Sequence, residues 1–213
     1  MDYFLNSDGK KILTRMVDAI QRNKDYLSEI DGRVGDGDHG INMNKGFSIF
    51  EERIRDRDVT FSDGLGELGE ILLTEIGGSM GPIYGTIFGG MAERCGGGEE
   101  ISLSLFAEML RQGFEDLSEI IEAKVGDKTI VDTLAPAVES VERSVTIREP
   151  IGRAMASMIS AAERGKESTK EMVAKVGRSS RLGERSKGVL DAGAVSCFLI
   201  IEAMGQGIQE LCL

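Results

Sequence analysis

Apolar residues in this chain recur at intervals of three and four, and that period restricts the fold more than any other feature of the sequence. Cys197, Ile201, Met204, Ile208 and Leu211 step by four, three, four and three, which draws one stripe along a helix. Val131, Leu134, Val138, Val141 and Val145 form a second stripe, and Ile151, Ala154, Met155, Met158, Ile159 and Ala162 a third. Phe106, Leu110, Leu117 and Ile121 form a fourth. None of these windows alternates apolar with polar residues as a half-buried strand does. Start and stop signals between the stripes predict about eight helices, near 7–27, 40–56, 63–76, 81–95, 103–123, 129–145, 149–169 and 193–211. Ser7 and Ser102 read as N-caps, and Thr129 with Asp132 reads as a capping box. Only three prolines occur, which suits long helices.

Antiparallel helices joined by short links form a bundle, so the expected fold class is all-α. No Pro/Ser-rich linker divides the chain, which predicts a single domain over 1–213. Most of the ten methionines are expected to fill the core, and Gly96, Gly97 and Gly98 to make a flexible turn between two helices. Cys95, Cys197 and Cys212 lie far apart and include no C-x-x-C pair, so they read as small apolar residues.

The balance of 25 basic against 36 acidic residues gives a net charge of −11, which opposes binding to nucleic acid or to an anionic membrane. No run of about 18 apolar residues occurs, and the start at Met1, Asp2 and Tyr3 lacks the basic, apolar and small-residue order of a signal peptide. A cytoplasmic protein is the expectation. A phosphorylated ligand needs local help against so acidic a chain.

Three stretches, 31–42, 77–86 and 177–193, carry more glycine and charge than a connector requires. The first holds Asp31, Asp36 and Asp38 between glycines. Carboxylates this close repel one another unless they are solvated or share a cation. The cluster therefore either binds a hard divalent metal (magnesium, calcium or manganese) or is an acidic surface turn. The calcium-loop pattern fails, because Gly40 occupies a ligand position and no acidic residue closes the loop. Gly35, Gly37 and Gly40 also satisfy G-x-G-x-x-G, but no β-rich run precedes them, which rejects a dinucleotide-binding strand-turn-helix. His39, the only histidine, sits inside this acidic loop.

The second stretch, Gly77-Gly78-Ser79-Met80-Gly81-Pro82, leads straight into a predicted helix, with Pro82 near its first turn. It is either a phosphate-binding helix start or a site of close helix packing through glycine. The third stretch brings Arg178, Arg181, Arg185 and Lys187 together against the acidic background. Arg178 is its best candidate for pairing with a phosphate oxygen, with a solvated loop as the alternative. Carboxylates for metal, amides for phosphate and cations for phosphate are the parts of phosphoryl chemistry.

Gly35-Asp36-Gly37-Asp38-His39-Gly40-x-Asn42-Met43-Asn44 resembles the signature of dihydroxyacetone kinase L subunits and of the matching domain in single-chain kinases. Gly77-Gly78 to Gly85-Thr86, Gly126-Asp127-Lys128-Thr129, Gly177-Arg178, Leu182 to Ser186 and Asp191-x-Gly193-Ala194 follow in the family's order. The resemblance implies a barrel of eight antiparallel amphipathic helices, with ADP or ATP and two magnesium ions at one end. It makes Asp31, Asp36 and Asp38 metal ligands that act with Arg178 in catalysis. Nucleotide contacts carry over to His39 and Asn42, to Gly78, Ser79, Met80 and Thr86, and to Ile121 and Thr129. The last of them are Arg178, Asp191 and Gly193.

In this family the ketone is held covalently by a histidine of a separate K subunit or domain, which this sequence lacks. The chain is thus expected to be a kinase subunit that brings the phosphoryl donor to a partner holding dihydroxyacetone or a related ketose. The resemblance further implies that ADP stays bound as a coenzyme and is rephosphorylated by a phosphohistidine protein, the M subunit. A kinase exchanging free ATP, with another triose or tetrose as substrate, is the close alternative, and a homodimer stays open. A nucleotide-binding partner of a transcription regulator and a carrier domain for fatty-acid phosphorylation are more distant readings.

Overall fold

The computed structural model describes residues 3–212. Met1 and Asp2, on which part of the signal-peptide reading rests, and Leu213 at the end of the expected domain lie outside the described residues. The helical expectation holds. Helices run over Gly9–Arg22 (α1), Lys24–Val34 (α2), His39–Ile54 (α3), Phe61–Glu75 (α4) and Met80–Cys95 (α5). Leu103–Ile120 (α6), Val131–Thr146 (α7), Ile151–Ser168 (α8) and Ala192–Leu211 (α9) complete the set.

The helix expected over 7–27 is in fact two. Asn23 takes φ −104° and ψ 9°, its side-chain amide donates to the carbonyl of Ala19, and a new helix starts at Lys24. Leu27 and Ile30, both buried, then carry α2 through Asp31 to Val34, where the glycine and charge of the sequence suggested a loop. Ser7 does not cap α1. It lies in a 3₁₀ turn over Asn6–Asp8, and its hydroxyl donates to Glu99 instead. Ser102 does cap α6, accepting the N–H of Leu105 at 3.2 Å. The capping box forms by half: Asp132 reaches back to the N–H of Thr129 at 2.8 Å, while the Thr129 hydroxyl takes the N–H of Val131.

Successive helices pack on one another from α3 through α9, and α9 returns to α1, which closes the barrel. Leu13, Met16, Phe47, Phe50, Leu65, Phe106, Met155 and Ile208 are among the side chains sealed in its core. Pro136 removes one rung from α7, because it has no N–H to give the carbonyl of Asp132. Gly165 of α8 comes so close to that carbonyl that no Cβ fits between them. Gly96, in the left-handed region at φ 63°, ends α5 and begins the expected turn.

A feature absent from the sequence reading is a small antiparallel sheet, Tyr3–Leu5 (β1) with Glu100–Ser102 (β2), in which Phe4 faces Ile101. Three-residue strands are too short to show a period of two. Phe4 anchors them, with ring centroids 5.5 Å from Phe61 and 6.3 Å from Phe106. By length and composition α9 alone among the described helices could cross a membrane, but it lies mostly buried against α1, α7 and α8. It is a core helix. The three cysteines are free, with Cys95 and Cys197 buried and Cys212 partly so.

Candidate phosphoryl-transfer site

The links between helices converge on one cavity of about 480 Å³. Its walls are the end of α2, the turn into α3, the turn into α5, the α6–α7 link, the segment after Val176 and the start of α9. The helix starts matter electrically, since the free N–H groups of a first turn attract anions. Ser79 precedes α5 without capping it, so those amides have no side-chain acceptor. Ile83 and Ile121 add apolar wall next to this polar rim.

Asp31, Asp36 and Asp38 each bring a carboxylate oxygen within 4.8 Å of the others. Asp31 comes from the last turn of α2, whose carbonyl takes the N–H of Gly35 and turns the chain, and its carboxylate accepts the N–H of His39 at 3.4 Å. An oxygen-only set with three negative charges fits a hard divalent cation. Among the described residues only Arg178 forms a salt bridge with these carboxylates, to Asp36, and both side chains are about half exposed.

His39 opens α3 as a buried side chain. Its Nε2 lies 2.8 Å from the hydroxyl of Ser196, and burial pushes its pKa down to about 4 against the pull of Asp31. The ring is neutral at pH 7. Asp191 caps α9 by accepting the N–H of Ala194 at 2.8 Å. Burial pushes its carboxyl up to about 6, opposed by that hydrogen bond and by Lys128.

Every candidate but one lines this cavity. Asp31, Asp36, Asp38, His39 and Asn42 come from the first stretch, and Gly78, Ser79 and Met80 from the second. Ile121, Thr129, Arg178, Asp191 and Gly193 supply the rest. Thr86 does not reach it. It sits six residues beyond Met80 on α5, roughly 9 Å farther along the helix axis at about 1.5 Å per residue. The two readings of the glycine-rich stretch divide along its length. Gly77 to Met80 face the cavity, whereas Gly81 and Gly85 press against the backbone of α4.

Residues 33–206 match the DAK2 domain. The chain belongs to the DAK2-domain family. It is 36% identical to the PEP-dependent dihydroxyacetone kinase, ADP-binding subunit DhaL, of Escherichia coli, covering 93% of this chain and 95% of that one. It is 31% identical to the PTS-dependent dihydroxyacetone kinase, ADP-binding subunit DhaL, of Lactococcus lactis, covering 90% of this chain and 92% of that one. The crystal structure of the dihydroxyacetone kinase from C. freundii in complex with AMP-PNP and Mg2+ superimposes with a TM-score of 0.68. At 20% identity that likeness is one of fold, and it spans 92% of this chain but 33% of the other.

The DAK2 domain also contains cavity-supporting residues outside the set of candidate site residues. Lys128 is buried, and its ammonium donates to the carbonyls of Thr169 at 2.6 Å, Met172 at 3.3 Å and Val189 at 2.5 Å. It thereby ties the segments after α8 and before α9 to the α6–α7 link. Asp132, also buried, accepts the N–H groups of Gly126 and Thr129 and fixes the turn that presents Thr129. Tyr84 and Ser196 stand behind His39, with their hydroxyl oxygens 2.7 Å apart. In sequence Asp132 reads only as half of a capping box and Lys128 only as part of the Gly126–Thr129 motif, while Tyr84 and Ser196 look like ordinary helix positions.

Proposed function

We propose that this DAK2-domain protein is the nucleotide-carrying subunit of a dihydroxyacetone kinase, passing a phosphoryl group from magnesium-bound nucleotide to dihydroxyacetone held by a separate K subunit. The observation that carries the reading is the meeting, in one cavity, of three carboxylates, the uncapped start of α5 and Arg178. The names of the full-length relatives, ADP-binding subunits of PEP- or PTS-dependent kinases, support the same assignment.

In this reading Asp31, Asp36 and Asp38 hold the metal, two ions in the full site, and magnesium there offsets the charge of the phosphates. The first-turn amides of α5 cradle phosphate oxygens, and Arg178 binds a further oxygen through its guanidinium. Ile83 and Ile121 give the adenine an apolar wall. ADP remains bound as a coenzyme and is recharged by a phosphohistidine protein, the M subunit. The chain acts in the cytoplasm as one domain over 1–213.

In-line transfer requires the attacking hydroxyl to be held close to the phosphoryl group, and this chain supplies the donor side. With MgATP and dihydroxyacetone the purified protein therefore forms no phosphorylated ketose until a cognate K subunit is added. It retains ADP through desalting and turns over only with the phosphohistidine donor. Many turnovers on free ATP with the K subunit alone reject the coenzyme reading, and phosphorylation by the isolated chain rejects the division of labour.

A further inference from the structure

Behind the cavity wall a buried line of polar groups backs His39, and its outer members, Ser196 and Tyr84, touch no ligand in the reading above. Nε2 of His39 lies 2.8 Å from Ser196 Oγ, and Ser196 Oγ lies 2.7 Å from the Tyr84 hydroxyl. The line joins the start of α3 to the second turns of α5 and α9. Longer contacts run from Ser196 and Tyr84 to the carbonyl of Gly193, at 3.2 and 3.3 Å. That carbonyl lies in the first turn of α9, where the helix ladder already uses it.

Each hydroxyl has one proton to give, so the arrangement admits few solutions. If Nε2 carried the histidine proton, Nδ1 would be a bare lone pair on a ring that lines a cavity already holding three carboxylates, which adds to the repulsion of any anion entering it. If Tyr84 donates to Ser196 and Ser196 donates to Nε2, both short contacts are satisfied and the histidine proton resides on Nδ1. The ring of this cavity-lining residue then keeps one N–H that Ser196 does not use. We propose that Tyr84 and Ser196 are positioning residues that fix His39 as the Nδ1–H tautomer, so that its ring donates a hydrogen bond to an anionic oxygen in the cavity. Tyr84 sets Ser196, Ser196 sets the ring, and the ring acts on the ligand. The last step rests on the nucleotide reading, whereas the tautomer itself does not.

His39 is the only histidine of the chain, so histidine-specific ¹⁵N labelling of the tag-free protein gives a single imidazole spectrum. Long-range ¹H–¹⁵N correlation in EDTA at neutral pH, without nucleotide, is expected to show the proton on Nδ1 and Nε2 bare. Ser196→Ala should move a measurable share of the ring to the Nε2–H form, and Tyr84→Phe a smaller share. Melting curves establish that the variants are folded. By calorimetry, Ser196→Ala should weaken MgADP binding about fivefold to tenfold, the scale of one hydrogen bond. A wild-type ring protonated on Nε2 overturns the proposal whatever the variants do, and so does an unchanged spectrum in folded Ser196→Ala. If the tautomer is as stated but wild-type protein binds no MgADP, the nucleotide reading fails and the positioning role stands.

Discussion

Arg178 is paired with Asp36 across the cavity mouth, joining the segment before α9 to the turn between α2 and α3. The carboxylate it occupies is one of the three that face each other as candidate metal ligands. A cation taken up by Asp36 competes for that carboxylate and releases the guanidinium toward a phosphate. Arg178→Ala is therefore expected to raise the Kd for MgADP about tenfold, the scale of a charge-assisted hydrogen bond. Because both partners are about half exposed, the ligand-free melting temperature should hardly change. Calorimetry with and without magnesium checks this, and equal loss of affinity in both conditions contradicts the competition.

The carboxylate cluster predicts that magnesium and ADP stabilise the protein together more than the sum of either alone. A ligand that binds only the folded state raises its stability in proportion to the logarithm of concentration over Kd. Asp38→Asn should abolish that extra rise in melting temperature and abolish transfer, while the far-ultraviolet spectrum stays helical. A wild-type magnesium response in the Asp38→Asn protein removes the cluster from metal binding.

Lys128 gives a test of the scaffold. Replacing it with Met keeps the length and removes the ammonium, leaving the carbonyls of Thr169, Met172 and Val189 without that donor. A buried acceptor without a partner costs on the order of 1–3 kcal/mol, so Lys128→Met should lose about 3 kcal/mol in urea unfolding. A loss under about 1 kcal/mol in that titration means water replaces the ammonium at little cost.

Asp191 predicts a pH dependence in the metal-free protein. Its carboxyl is pushed up from 3.8 to about 6 in the folded state, chiefly by burial. Between those values the folded state holds a proton that the unfolded state has released, so this group costs stability increasingly as pH rises. Asp191→Asn keeps an oxygen for the N–H of Ala194 and removes the ionisation. Its stability relative to wild type should therefore rise from about pH 4 to about pH 6 and then level off, by roughly 3 kcal/mol. Denaturant titrations across that range measure the difference directly, and a flat difference rules out the penalty. The wild-type curve is a poor guide by itself. His39, pushed down to about 4, contributes the opposite slope over nearly the same range.

The stripes that step by three and four residues determined the all-helical barrel, because apolar periodicity is local information that any buried face must obey. Together with the start and stop signals between them, they located α3 to α9 to within a few residues of their observed ends. The acidic turn, the glycine-rich helix start and Arg178 were likewise legible, since charge and glycine without periodicity stand out against such stripes. The break at Asn23 and the helical setting of Asp31 were not. Both depend on Leu27 and Ile30 finding the core, which outweighed the glycine and charge nearby. The tertiary structure alone decided that Thr86 stays out of the cavity, that Lys128 spends its three protons on distant carbonyls, and that Ser196 and Tyr84 stand behind His39. These partners lie far apart along the chain. A buried polar contact is specified by which helix faces meet when the barrel closes, and a sequence read one helix at a time does not contain that meeting.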